Sequence, residues 1–143
     1  MRRDLTVSQS IDINTDPSQV WHALTTPDII KEYLFGTETV TNWKVGDEII
    51  FQGKYKGHMY RDKGVILENR PNQLLRYTYW SGFSGLEDKP ENYSTVTYTL
   101  TKRDATHTTF TWTQEGYATE EAYTHSKSGM EAFLQQVKEI IER

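Results

Sequence analysis

The sequence has no cysteine among its 143 residues, few prolines and no long apolar run. Without cysteine the chain can form no disulfide bond and no thiolate metal site, and it lacks a cysteine nucleophile. No stretch approaches the roughly 18 apolar residues that a membrane-spanning helix requires. Arg2 and Arg3 are not followed by the apolar segment of a signal peptide. We therefore expect a soluble protein of the cytoplasm.

Clustered positive charge is also missing. The 16 Lys and Arg residues are outnumbered by 20 Asp and Glu residues, and the formal net charge is −4. Because binding to nucleic acid needs a concentrated basic surface, nucleic acid is not an expected partner. The motifs His-Glu-x-x-His and Gly-x-Ser-x-Gly are absent. The sequence thus predicts no bound metal and no other cofactor.

Aromatic residues are plentiful. They make up 13% of the chain and compensate for a hydrophobic content of only 36%, because each buried ring removes a large apolar area from water. A chain of this length can bury roughly 68% of its unfolded surface. We expect one folded domain over residues 1–143.

Residues 119–142 have the spacing of one long amphipathic helix. Thr119 can cap its start, and Glu120 and Glu121 lie in the first turn, where the helix dipole favours negative charge. The apolar positions repeat at the helical spacing and form one stripe: Met130, Phe133, Leu134, Val137, Ile140 and Ile141.

The rest of the chain reads mostly as strands. A first strand is predicted over residues 5–14, followed by two short helices that begin near Pro17 and Pro27 and end before Gly36. Alternation and turn residues then predict six strands, over residues 37–42, 48–55, 58–68, 74–80, 93–102 and 108–114. This order predicts an α+β fold in which a curved antiparallel sheet of six to seven strands wraps around the C-terminal helix.

Several aromatic residues of the strands are predicted to point inward, towards the helix. They could line an apolar pocket whose tyrosine hydroxyl groups orient a ligand, or they could fill an ordinary core. Sequence alone leaves both open. The candidate ligand-binding residues are Tyr33, Phe51, Tyr77, Tyr79, Tyr98, Phe110, Trp112, His125, Met130, Phe133 and Leu134.

For a few other residues the sequence indicates a role less clearly than for the inward aromatic residues. His125 could act as a general acid or base near the pocket, or hold the helix by a hydrogen bond. Asp62, Glu68 and Glu115 are expected to be surface charges, and Gly129 is expected to face a closely packed neighbour. In the loop over residues 81–92, the exposed Phe83 and Leu86 could close over a ligand, contact another protein or fold back onto the sheet.

The ordered elements, with particular residues in place, resemble the START-like SRPBCC superfamily and its helix-grip fold. Within it the chain is most similar to homologues of the C-terminal domain of the activator of heat-shock protein 90 ATPase. The chain differs from the common pattern of that family at three places. Tyr33 and Met130 stand where tryptophan is frequent, and Gly46-Asp47 stands where paired glycines are frequent. The matching residues are Pro17, the segments 20–25, 43–47, 64–68, 75–79 and 108–116, and also Pro27, Pro71, His125 and Gly129.

The resemblance implies a cavity between the sheet and the last helix. Its first functional implication is non-enzymatic binding of a small hydrophobic or amphipathic molecule, such as a lipid or a polyketide-like compound. A second is stimulation of a chaperone ATPase, and a third is a cyclase or hydrolase-like enzyme that uses a pocket acid or base. Proteins with this fold are expected to be monomers or weak homodimers.

Overall fold

The computed structural model describes residues 1–143 and contains seven strands and three α-helices. In chain order they are β1 (Arg2–Ile13), α1 (Pro17–Leu24), α2 (Pro27–Tyr33), β2 (Glu38–Val40), β3 (Glu48–Tyr55), β4 (His58–Arg70), β5 (Leu74–Tyr79), β6 (Ser94–Asp104), β7 (His107–Tyr117) and α3 (Glu120–Glu142). Two 3-10 turns, Gly82–Ser84 and Pro90–Asn92, lie between β5 and β6.

All seven strands form one antiparallel sheet in the order β1-β7-β6-β5-β4-β3-β2. The first strand is therefore an edge strand next to the last, while α1 and α2 connect it to β2 at the opposite edge. Helix α3 packs on the inner face of the sheet, mainly along β1. The predicted α+β helix-grip fold is confirmed.

The helices begin where local chemistry favours it. The Asp16 carboxylate accepts a hydrogen bond from the Gln19 amide at 3.0 Å, and Pro17 occupies the first turn of α1. The Thr119 hydroxyl accepts a hydrogen bond from the Ala122 amide, also at 3.0 Å. These caps satisfy amide groups that a helix start leaves without partners, and they place the starts of α1 and α3 as predicted.

Two glycines have opposite surroundings. A Cβ at Gly64 of β4 would lie 1.6 Å from the Thr78 carbonyl oxygen, so only glycine allows β5 to approach this closely. A Cβ on Gly129 of α3 would meet no atom within 4 Å. The prediction of a closely packed neighbour at Gly129 is therefore wrong, because this face of the helix is exposed.

The loop between β5 and β6 is tied to the sheet. Trp80 stacks on Tyr93 with ring centroids 6.4 Å apart, and Lys63 forms an ion pair with Asp88 at 2.6 Å. Phe83 remains 65% exposed although its ring contacts those of Tyr55 and Tyr60. The loop thus packs partly on the sheet and still presents one aromatic ring to solvent.

Candidate functional site

A cavity of about 310 Å³ lies between the inner face of the sheet and the N-terminal part of α3. Ten of its 14 lining residues are hydrophobic, so its walls are mainly apolar. The lining residues are Leu34, Thr37, Phe51, Tyr60, Asp62, Tyr77, Tyr79, Val96, Tyr98, Trp112, Gln114, Ser126, Met130 and Phe133.

The aromatic side chains on the sheet side contact one another in a continuous series. The ring centroids of Tyr79 and Phe51 are 6.0 Å apart, and those of Phe51 and Tyr77 are 5.7 Å apart. The series continues from Tyr77 to Tyr98 at 5.7 Å and from Tyr98 to Phe110 at 5.6 Å. Tilted and edge-on contacts of this kind fix the rings in place and make a rigid apolar wall.

Three tyrosine hydroxyl groups belong to this wall, those of Tyr77, Tyr79 and Tyr98. The hydroxyl groups of Tyr77 and Tyr98 share a hydrogen bond of 2.9 Å. Burial raises the pKa of both phenols above the ordinary value, and burial also raises the pKa of Tyr79, with the Asp62 carboxylate as a further cause. These hydroxyl groups are therefore neutral at physiological pH and can act as hydrogen-bond donors or acceptors.

Asp62 is the one acidic side chain in the cavity wall, and it is only 7% exposed. Its Oδ2 accepts a hydrogen bond from the Tyr79 hydroxyl at 2.6 Å. Its Oδ1 is buried and has no hydrogen-bond partner within the protein. The prediction that Asp62 is a surface charge is therefore wrong, whereas Glu68 pairs with Arg70 and Arg76 and Glu115 is exposed, as expected.

The inward position of Asp62 has a signal in the sequence. Residues of β4 alternate between the two faces of the sheet, and Ile66 of this strand is fully buried. Counting back in steps of two from Ile66 leads to Gly64, Asp62 and Tyr60, which share its face. The register agrees, because Asp62 pairs with the buried Phe51 of β3.

Seven of the eleven predicted ligand-binding residues line the cavity. Three others, Tyr33, Phe110 and Leu134, are buried in the continuous core beside it. Tyr33 packs edge-on against Phe133 at 6.1 Å, and Phe110 lies behind Tyr98, so other rings separate both from the cavity. The seven lining residues are Phe51, Tyr77, Tyr79, Tyr98, Trp112, Met130 and Phe133.

His125 does not line the cavity. It is exposed on the flank of α3 and borders a neighbouring depression, which shares Tyr79, Gln114 and Ser126 with the cavity. One residue along a helix turns the side chain by about 100°, so the step from Ser126 to His125 points it away from the cavity. The acid or base predicted for an enzymatic role is thus absent from the cavity wall.

The outer end of the cavity continues into a surface depression. Leu34, Thr37, Tyr60 and Asp62 line both spaces. The depression is bordered by three exposed aromatic residues, Phe35, Tyr55 and Phe83, which are 79%, 56% and 65% exposed. A small apolar molecule could reach the cavity from this side.

The sequence interpretation missed seven lining residues. Tyr60 and Val96 could have been found from strand alternation, and Ser126 from the helical stripe four residues before Met130. Gln114 could have been found from strand alternation as well, two residues after Trp112 in β7. Leu34 and Thr37 have no comparable signal, because they follow α2 outside any strand. The seven are Leu34, Thr37, Tyr60, Asp62, Val96, Gln114 and Ser126.

The chain contains no group of three or more His, Cys, Asp or Glu side chains that could hold a metal ion. None of its helices combines the length and apolar character needed to cross a membrane.

Comparison with known proteins places the chain among relatives that share its whole length. A solution structure of ChR145 from Cytophaga hutchinsonii is 38% identical, with a TM-score of 0.83, and the match covers 99% of this chain and 97% of that one. The chain is 18% identical to the Aha1 dimer from Colwellia psychrerythraea, with a TM-score of 0.73 and 96% of both chains covered. An HSP90 activator from Plasmodium falciparum is 17% identical, with a TM-score of 0.73 and again 96% of both chains covered.

The last two similarities show a shared fold and nothing more. No curated protein matched the chain. The family model for activator of Hsp90 ATPase homolog 1-like proteins matches residues 14–142. The chain therefore belongs to this family, as its sequence predicted.

Proposed function

We propose that the protein binds one small hydrophobic or amphipathic molecule, such as a lipid or a polyketide-like compound, in the cavity between the sheet and α3. The observation that carries this proposal is the mainly apolar lining of a space of about 310 Å³. Pockets for small molecules typically measure about 300–1,000 Å³ and combine apolar walls with a few polar groups. This cavity has that size and that composition, and it suits a ligand at the small end of the range.

The polar groups in the wall support an amphipathic rather than a purely apolar ligand. Thr37 and Tyr60 share a hydrogen bond of 2.6 Å at the outer end, close to Asp62 and Tyr79. Away from this end the lining is mainly apolar, with Trp112, Met130 and Phe133, although Gln114 and Ser126 add two neutral polar side chains. A molecule with one polar group and a short apolar body would match both ends.

The proposal is tested by filling the cavity. The substitution Met130→Trp would put a large ring in the cavity wall. We expect it to weaken binding of octanol by at least about tenfold, measured by saturation-transfer NMR. Met59→Trp makes the same exchange at a residue that is 77% exposed, and it should leave octanol binding unchanged. Equal affinities of wild type and Met130→Trp would overturn the proposal.

Stimulation of a chaperone ATPase is the second candidate, favoured by the family match over residues 14–142. Such an activity would use the outer surface of the protein rather than the cavity. The same two variants separate the candidates. Undiminished ATPase stimulation by Met130→Trp, together with an absence of octanol binding in the wild type, would favour the chaperone function.

The cytoplasmic location and the monomeric or weakly dimeric state predicted from the sequence belong to the same proposal. Fractionation of the native cells tests the first, and light scattering over a range of protein concentrations tests the second.

A further inference from the structure

The buried carboxylate of Asp62 lacks a positive partner. It forms no ion pair with any Lys, Arg or His, and the Tyr79 hydroxyl is its one hydrogen-bond donor. Lys54 borders the outer depression together with Asp62 but forms no ion pair with it. Burying a carboxylate is costly unless it is paired, and a buried oxygen without a partner adds to that cost. The protein retains this group in a wall that is otherwise mainly apolar.

Three aromatic side chains surround Asp62 on the cavity side. Tyr79 donates to it, Phe51 is its partner across β3 and β4, and Tyr60 lies two residues earlier on the same face of β4. All three also line the cavity. A carboxylate bordered by aromatic rings is the combination that recognises ammonium groups, because a cation is attracted both by the charge and by the ring faces.

We infer that the cavity selects ligands with a positively charged amine, and that Asp62 binds the ammonium group while the apolar body extends towards Trp112 and Met130. This inference rests on the proposed function, since it names the ligand class of the same cavity. The terminal torsion of an aspartate side chain has a broad energy minimum. Rotation about this torsion moves both carboxylate oxygens together, so the Tyr79 hydroxyl has to follow Oδ2 when Oδ1 turns towards a ligand.

Competing ligand classes fit less well. An anionic ligand would bring a second negative charge next to Asp62 in a place of low polarity. A neutral alcohol could donate one hydrogen bond to Oδ1, but it would leave the buried charge uncompensated. An ammonium group supplies both the hydrogen bond and the opposite charge, and a quaternary ammonium group supplies the charge alone.

The inference is tested with four probes that share one apolar chain: octylamine, octyltrimethylammonium, octanol and octanoate. Dissociation constants are measured by NMR titration of the full-length protein in about 0.15 M salt, which screens exposed surface charges. We expect the two cations to bind about tenfold more tightly than octanol. Octanoate should be the weakest of the four.

Two variants identify the residue responsible. Asp62→Asn retains the shape of the side chain and removes its charge, and it should abolish the preference for cations while octanol still binds. Glu115→Gln removes one negative charge from an exposed position of β7, and the preference should persist. Persistence of the preference in Asp62→Asn would contradict the role of Asp62.

The wild-type series alone decides the inference if Asp62→Asn does not fold. Octanol binding equal to or tighter than binding of both cations would overturn the amine preference and leave the cavity as a general apolar site. Failure of all four probes to bind would overturn the inference and the proposed function together.

Discussion

The two parts of α3 differ although they belong to one helix and one stripe. In the segment 131–142, which we call the packed segment, Leu134 and Val137 are buried in the continuous core. In the segment 120–130, which we call the cavity segment, Met130 is the one buried residue, and Ser126 and Met130 line the cavity together with Phe133, which lies just inside the packed segment.

Contacts with the rest of the fold follow the same division. The packed segment is fixed to the end of β1, because the Lys138 ammonium donates to the Asp12 carbonyl oxygen at 2.7 Å. Glu142 accepts from the Asn14 amide at 2.8 Å, and Arg143 pairs with Glu32 of α2. The cavity segment has one polar contact to β1, a bond of 3.3 Å from the Gln9 side chain to the Lys127 carbonyl oxygen.

The two segments also differ in the size of the side chains along the stripe. Along the stripe, Ser126 occupies a position where the packed segment has leucine or valine. Its hydroxyl group bonds to the Tyr117 hydroxyl at 2.9 Å, so the small polar residue is held in place. One end of the helix thus supplies stability, and the other leaves space for a ligand.

Alkaline pH should have the largest effect on the free energy of unfolding. It tests how well the tyrosines around the cavity are shielded from water. Burial raises the pKa of Tyr33, Tyr77, Tyr79 and Tyr98, whereas in the unfolded chain these phenols ionise near pH 10. Below pH 10 these phenols make their full contribution to the free energy of unfolding. As the pH rises from 10 towards the pKa values of the folded state, that contribution is lost, because in this range the unfolded chain releases the phenol protons and the folded protein keeps them.

We expect the free energy of unfolding to fall as the pH rises from 9 to 11, measured by urea denaturation, because all four phenols stay protonated longer in the folded state than in the unfolded chain. If the three cavity tyrosines were well hydrated, Tyr33 alone would contribute, and the loss of stability over this pH range would be much smaller. The variant Tyr33→Phe removes that single contribution and serves as the control.

Truncation of one residue in each segment tests the comparison directly. Leu134→Ala should lower the free energy of unfolding by about 3–4 kcal/mol, because it opens a hole in close packing. Met130→Ala should cost only about 1–2 kcal/mol, because its side chain already borders open space and loses fewer contacts. Urea denaturation of both variants gives the two values. Equal losses would show that the two segments are packed alike.

The smallest effect is expected at Gly129. Alanine at this position meets no atom within 4 Å and removes the entropic cost of glycine in a helix interior. The free energy of unfolding should rise by about 0.5–1 kcal/mol in the same denaturation assay. A loss of stability would mean that the exposed face of the cavity segment packs against a second molecule.

The sequence predicts the fold well, because helix caps and strand alternation are determined by residues that are close together in the chain. Caps at Asp16 and Thr119 determine where α1 and α3 begin, and strict alternation identifies β6 and β7. The bounds of strands differ by a few residues, as in β1, which begins at Arg2 rather than at residue 5. Strand ends depend on pairing with neighbours, and that pairing is not a local property.

The site is less predictable because the lining depends on packing across the sheet. Alternation shows that Phe110 and Trp112 both point inward, but only the curvature of the sheet determines that Trp112 reaches the cavity and Phe110 does not. The charge of Asp62 favours a surface position, whereas its place in the alternation of β4 favours an inward one, and the structure follows the alternation. A charged residue at an inward position of a strand is therefore worth treating as a site residue.

The most direct test of the central claim uses the methionines of the chain, which number three. Met130 lines the cavity, Met59 is 77% exposed, and Met1 lies near Gly116, outside it. In protein labelled at the methionine methyl groups, we predict that titration with octylamine shifts the Met130 signal to saturation while the Met59 and Met1 signals stay in place. An unchanged Met130 signal, or equal shifts of all three, would contradict the claim that the cavity segment of α3 covers a ligand-binding site.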